Sequence, residues 1–303
     1  MKHIVTGGSG FIGSHIVDRL VSDDHDVVVI DNKSADCHDH FYHNDKATYY
    51  TYDICELQKI QPLFENVDTV FHCAAEARIQ PSIENPFLTV NTNVNGTLSV
   101  LEASKRTGVR RLIYSSTSSS YGHGNVPNYE TAKENCLTPY SVSKVAGEKL
   151  CSVYDGLHGL DSVVLRYFNV YGDRSPLRGH YAPVIGKFLR QKRNSQPLTI
   201  IGDGLQTRDF THISDVVEAN ILASKCDFDD AEKKVINIGT GKPRTIKEIA
   251  EMISDNITHL KQRPGEVRHT HAMNARSGFV LGKSDYVDLF DWLKEELEKK
   301  NEG

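Results

Sequence analysis

Long apolar runs are missing from this chain. No stretch approaches the roughly 18 consecutive apolar residues that a membrane span needs, and hydrophobic residues make up only 39% of the sequence. A membrane partner is set aside on that ground. The first residues, Met1 to Gly13, lead straight into a strand and a glycine turn, without the basic region, apolar stretch and small-residue cleavage site of a secretory leader. A cytoplasmic location is therefore expected. Cysteines are few and scattered: Cys37, Cys55, Cys73, Cys136, Cys151 and Cys226 show neither zinc-ribbon nor redox-pair spacing, which suits a reducing compartment. Positive charge is not in excess either. The formal net charge is −5, no sustained basic run or basic-aromatic interleaving is present, and nucleic acid is not an expected partner. Internal repeats and low-complexity segments are also lacking.

What is present is a chain of 303 residues, long enough for one large α/β domain with a smaller lobe. His3–Val5, Val27–Ile30, Tyr49–Tyr52, Thr69–His72, Arg111–Ser115 and Ser162–Arg166 read as strands. The run Val27-Val28-Val29-Ile30 is apolar throughout, as expected of a strand covered on both faces. Helical spacing of apolar residues marks Thr89–Thr107 and Pro139–Asp155. Strands alternating with helices predict a doubly wound parallel sheet over residues 1–171. After Gly172, Pro, Gly and Arg punctuate shorter elements, so residues 172–303 are expected to form a smaller lobe, with the chain crossing between the two more than once.

The segment Thr6-Gly7-Gly8-Ser9-Gly10-Phe11-Ile12-Gly13 lies between the first strand and a helix. Glycines at 7, 10 and 13 suit a tight turn, close approach of backbone to a pyrophosphate, and helix-on-sheet packing. Asp31 ends the second strand roughly 20 positions downstream, where a carboxylate accepts hydrogen bonds from a ribose diol and disfavours the additional phosphate of NADP. NAD is the expected cofactor.

Tyr140 and Lys144 stand one helical turn apart and share a helix face. A free tyrosine has a pKa of about 10, so a phenol acting as base near neutrality must become roughly a thousandfold more acidic, about 4 kcal/mol. A lysine and a cationic nicotinamide supply that together. Upstream, Ser115-Ser116-Thr117-Ser118-Ser119-Ser120-Tyr121-Gly122 follows a strand end, which places a hydroxyl within reach of the phenol.

With these motifs in view, the chain resembles the extended short-chain dehydrogenase/reductase family, in its nucleotide-sugar epimerase and dehydratase branch, whose fold is a Rossmann sheet with a smaller substrate lobe. The resemblance spans nearly the whole chain. It rests on the glycine loop, His72-Cys73-Ala74-Ala75, Asn93-Val94-Asn95-Gly96-Thr97, the serine run, Tyr140 to Lys144, Leu165 to Gly172, Gly202 to Phe210, and Arg263-Pro264-Gly265-Glu266. It implies Tyr140 as general base, Lys144 as the nicotinamide-ribose and tuning residue, and Thr117 as hydroxyl relay. Gly7, Gly10, Phe11, Ile12, Gly13, Asp31, Asn32, Asp53, Ile54, Ala74, Ala75, Asn93, Ser115, Tyr140, Lys144 and Tyr167 are implied around the cofactor. Thr117, Asn169, Thr199, Ile201, Arg208, Arg263 and Glu266 are implied around a UDP-sugar, the guanidinium groups pairing with phosphate oxygens. A homodimer built on the helices at 89–107 and 139–155 is implied as well.

The related dehydratases carry Asp-Glu after this threonine for water elimination, whereas Ser118 and Ser119 stand here. Hydroxyls of ordinary pKa are poor acids and bases for that step, which predicts a 4-epimerase: transient oxidation at C4 and re-reduction from the other face, with no net NADH. Thr270 occupies a position whose bulk limits the C2 substituent in related epimerases, so UDP-N-acetylglucosamine is expected beside UDP-glucose. A UDP-glucuronate decarboxylase or 4-epimerase and a non-catalytic NAD-binding sensor or scaffold are the alternatives. Asp36, Cys37, His38, Asp39, His40 and His43 are of metal-ligand type, but they sit in an expected surface loop and no metal is assigned.

Overall fold

The computed structural model describes residues 1–35, 40–176, 183–228, 234–262 and 267–299. Its first half runs β1 (Lys2–Thr6), α1 (Phe11–Ser22), β2 (Asp26–Ile30), β3 (Thr48–Tyr50), α2 (Leu57–Ile60), β4 (Val67–His72), α3 (Ile79–Glu84), α4 (Pro86–Val90), α5 (Thr97–Thr107), β5 (Arg111–Thr117), α6 (Pro139–His158) and β6 (Asp161–Tyr167). Alternation along β2 explains the layering. Val27 and Val29 join Ile16, Val17 and Leu20 of α1 in one core. Val28 and Ile30 point the other way, into a second core with Phe64, Val100, Leu101 and Cys151. Each fully buried aliphatic side chain contributes roughly 1.5–3 kcal/mol, so an apolar strand is stable only with helices on both faces.

The remainder runs β7 (Val170–Tyr171), α7 (Val184–Arg193), β8 (Leu198–Ile201), β9 (Thr207–Arg208), β10 (Thr211–His212), α8 (Ile213–Lys225), β11 (Val235–Ile238), β12 (Arg244–Thr245), α9 (Ile246–Ile253), β13 (Ile257–Leu260) and α10 (Leu289–Glu298). The sheet has seven parallel strands in the order β11-β6-β5-β4-β1-β2-β3. The order reverses between β1 and β4, and a crevice opens there beyond the carboxyl ends of the strands. The chain returns to this sheet after residue 172. β11 extends it beside β6, and Val216, Val217 and Ala219 of α8 enter the same core as α1. A third core, with Phe188, Leu198, Ile200, Ile249 and Leu293, holds α7, β8, α9 and α10 together.

Several element bounds differ from expectation for local reasons. The third strand stops at Tyr50, and beyond it the Asp53 carboxylate accepts the Cys55 N–H (2.8 Å), turning the chain off the ladder. The fifth runs on to Thr117 because β6 pairs with it as far as Tyr167. The helical run expected at 89–107 starts at Pro86 and passes through a π-turn at Asn91–Gly96. α6 continues to His158, where Gly159 adopts the left-handed conformation that ends it.

Candidate active site

At the crevice, Gly7 has φ +68°, and a Cβ there would lie 2.7 Å from the Ala74 nitrogen. A Cβ on Gly13 would fall 2.2 Å from the Gly7 carbonyl oxygen. The turn therefore admits only glycine at both positions. α1 opens at Phe11 and Ile12 with Gly10 as N-cap, and no side chain caps its first N–H groups and no acid occupies its first turn. A bare helix amino terminus beside a glycine cradle fits an anionic pyrophosphate.

The Asp31 carboxylate accepts from the Ser9 N–H (2.9 Å) and the Lys33 N–H (2.8 Å), which fixes it at the rim of the glycine loop. Asn32 donates to Asp53 (3.1 Å), and Ile54 is buried next to them. On the other side of the crevice the Ala74 N–H donates to the Thr6 hydroxyl (3.3 Å), and Ala75 follows it. Asn93, in the π-turn, uses its amide on the Glu76 carbonyl (3.0 Å) and the Ser143 hydroxyl (2.9 Å), while its oxygen accepts the Glu76 N–H (2.8 Å). It thus ties the strand-end loop to α6. Ser115 shares a hydrogen bond with Tyr167 (3.1 Å), and Tyr167 is held in turn by Asn220 (2.8 Å).

α6 starts at a capping box in which Thr138 and Ser141 satisfy each other's N–H groups, with Pro139 in the first turn. The cap fixes the first turn, in which the Tyr140 N–H donates to Ser82 of α3 (3.1 Å). Burial raises the Tyr140 phenol above its ordinary value, and the Thr117 hydroxyl pulls it back. Lys144, one turn deeper, is buried and lowered to about 8 by that burial. Its ammonium lies over the Tyr114 ring, 4.1 Å from the centroid. Burial alone disfavours both charged forms. A phenolate at neutral pH therefore needs further positive charge at this place, which a nicotinamide cation carries.

Thr117 closes β5, and its hydroxyl accepts the Ser119 N–H (3.1 Å). Ser118 and Ser119 continue into a short 3₁₀ turn. Behind them lies a buried network that the sequence reading missed. Glu148 of α6 binds Arg166 of β6 at 2.6 and 2.9 Å and accepts the Ser116 hydroxyl. Arg166 reaches the Tyr121 hydroxyl (2.9 Å), which donates to Asn237 (2.6 Å). The ion pair fixes α6 against β6, which pairs with the strand that carries Thr117 and leads into the turn that carries Asn169.

Across the cleft, Asn169 donates to the Asp209 carbonyl (2.7 Å) and to Thr270 (3.2 Å). Thr270 is buried and its hydroxyl also accepts the Asp209 N–H (3.2 Å), so it is committed to this network as well as small. Arg208 donates to the Thr207 and Arg268 carbonyls (2.9 and 3.3 Å). Thr199 of β8 is gripped by Gln191 at both its N–H (3.1 Å) and its hydroxyl (3.0 Å), and the Ile201 carbonyl accepts from Gln206 (2.8 Å). Arg263 and Glu266 lie outside the described residues, as do Asp36 to Asp39 of the His-rich segment. Among the described residues no cluster of His, Cys, Asp or Glu is arranged to hold a metal, and no helix is long and apolar enough to cross a membrane.

A family model described as the NAD dependent epimerase/dehydratase family matches residues 3–239. A putative UDP-glucose 4-epimerase of Methanocaldococcus jannaschii is 34% identical over 300 residues, covering 96% of this chain and 95% of that one. Among solved structures, the UDP-glucose 4-epimerase of Thermotoga maritima with UDP-glucose superposes with a TM-score of 0.91 at 32% identity, over 100% of both chains. The UDP-N-acetylglucosamine 4-epimerase of Methanobrevibacter ruminantium M1, in complex with UDP-N-acetylmuramic acid, gives 0.87 at 34% identity, over 98% of this chain and 95% of that one.

Proposed function

Because the chain belongs to the NAD-dependent epimerase/dehydratase family, we propose that it is an NAD-dependent 4-epimerase of UDP-sugars, with UDP-glucose and UDP-N-acetylglucosamine as its substrates. The observation that carries the choice of reaction is the pair Ser118 and Ser119 beside Thr117, in a site whose Tyr140 and Lys144 are intact. Oxidation at C4 has its base, while elimination of water lacks an acid and a base of suitable pKa. The names of the relatives above support C4 inversion.

In this reading Tyr140 accepts the proton of the 4-hydroxyl, directly or through Thr117, and returns one when the alcohol re-forms. Lys144 orients the nicotinamide ribose and favours the phenolate. NAD, when bound between the glycine loop, Asp31 and Ala74–Ala75, supplies a reversible two-electron oxidation of C4. Asn169, Arg208 and Arg263 are assigned to the diphosphate, and Thr199, Ile201 and Glu266 to the nucleotide end. A firm grip there lets the 4-keto sugar turn without loss of the intermediate. Residues 1–171 carry the cofactor and the chemistry; residues 172–303 carry most of the sugar-nucleotide contacts.

Phe87, Leu88 and Val90 of α4 and Val142, Val153 and Leu157 of α6 are exposed, an apolar face of the kind that associates. It supports a homodimer through these helices. Unpaired cysteines at 55, 73, 136, 151 and 226 support a reducing, cytoplasmic setting. The test is incubation of the purified protein with UDP-glucose, UDP-N-acetylglucosamine and UDP-glucuronate, with C4 epimers resolved by chromatography. Loss of carbon dioxide or water from any of them would replace the epimerase reading.

A further inference from the structure

Asp209 is completely buried, and among the described residues no cation pairs with it. Such a carboxylate is strongly destabilising unless hydrogen bonds replace its hydration. Here four do. One oxygen accepts the Thr240 N–H (2.9 Å) and the Thr240 hydroxyl (2.7 Å); the other accepts the Gly241 N–H (2.9 Å) and the Ala272 N–H (2.9 Å). The main chain of the same residue is bonded as well. Its carbonyl accepts from Asn169, and its N–H donates to Thr270, which also receives Asn169.

Asp209 is thus the junction of the turn after β6, the end of β9, the turn after β11 and the segment 270–272. Asn169 stands in the left-handed region, with φ +32°, a conformation that persists only where its surroundings hold it. Arg208 precedes the acid directly, so the orientation of both side chains follows from how the junction is held. An amide in place of the carboxylate offers two acceptor sites and two donors, and leaves two of the four donors facing N–H groups.

We infer that Asp209 is a positioning residue for the nucleoside diphosphate part of the substrate, acting through Arg208 and the turn that carries Asn169 without touching it; this rests on the UDP-sugar reading above. The probe is UDP, titrated calorimetrically into the NAD-loaded protein, with NAD content and KM against kcat measured alongside. Asp209→Asn is expected to weaken UDP binding and raise KM by about tenfold or more, the loss of hydrogen bonds to a charged group, with NAD content unchanged and kcat much less affected. Unchanged UDP affinity in a folded, NAD-containing variant overturns the inference. If Asp209→Asn does not fold, Thr270→Val decides: it removes one acceptor of the junction, and an affinity loss of about fivefold supports the inference while wild-type affinity overturns it. A wild-type protein that binds no UDP overturns the UDP-sugar reading itself, and the inference with it.

Discussion

The Lys144 ammonium sits 4.1 Å from the centroid of the Tyr114 ring, and the hydroxyl of that ring reaches the Lys144 carbonyl at 3.3 Å. Tyr114 therefore forms the floor on which α6 is placed, and α6 approaches it closely because residue 147 lacks a side chain. A Cβ on Gly147 would lie 2.1 Å from the Tyr114 hydroxyl. Gly147→Ala is expected to cost about 1–3 kcal/mol by overpacking and to reduce turnover as Lys144 shifts. Thermal melts with parallel turnover assays check this; an unchanged melting temperature would contradict it.

Lys144 is held as a cation against its burial, since its pKa falls from 10.5 to about 8. The unfolded chain binds more protons than the folded one between those values, so stability attributable to this group rises as pH rises from about 8 to 10.5. Below pH 8 the penalty is fully present, on the order of 3 kcal/mol. Lys144→Met is expected to abolish turnover yet raise stability at pH 7, with the gain shrinking above pH 8. Denaturant titrations at pH 7 and pH 10 measure it, and a variant less stable than wild type at pH 7 would refute the argument.

His72 illustrates the opposite end of the pH scale. Its Nδ1 meets the Thr6 hydroxyl at 2.7 Å and its Nε2 meets Thr97 at 3.0 Å. Since Thr97 donates to the Asn93 carbonyl, Nε2 carries the proton and Nδ1 accepts from Thr6. Burial, with Lys144 nearby, lowers the ring pKa from 6.5 to about 3. Unfolded chains then bind the additional proton between those values, so stability is full above pH 6.5 and falls as pH drops towards 3, by up to about 5 kcal/mol. His72→Gln is expected to be about 1–2 kcal/mol less stable at pH 7 but to show a shallower acid slope, readable from melting temperatures between pH 4.5 and 7.

At the rim of the glycine loop, Asp31 is bonded to both Ser9 and Lys33. Replacing it by serine removes a charged acceptor, and the affinity for NAD is expected to fall by about tenfold or more. The preference for NAD over NADP should narrow at the same time. Equilibrium titration with both nucleotides tests this, and an intact preference would show that discrimination lies elsewhere.

Much of the fold could be read from the residues because its determinants are local. The four apolar letters of β2 require cover on two faces, the glycine spacing requires a particular turn, and Tyr140 and Lys144 share a helix face by periodicity alone. What stayed hidden depends on residues distant in the chain. Val235–Ile238 is a short run among turn residues, and nothing in it announces that it will pair with β6. The Glu148–Arg166 pair and the Asp209 junction are likewise invisible, since no period links residues 148 to 166 or 209 to 272. Thr270 could be read as small, but its bonds to Asn169 and Asp209 emerge only when those segments meet.

The most direct test of the central claim is conversion of UDP-glucose carrying deuterium at C4, by wild type and by Tyr140→Phe, with the product epimer analysed by mass spectrometry and NMR. Closed oxidation and re-reduction at one bound NAD predicts an inverted C4 that keeps its deuterium in wild type, and a rate lower by about 100- to 10,000-fold in the variant. An epimer whose C4 has exchanged with solvent, or a Tyr140→Phe protein as active as wild type, would contradict it.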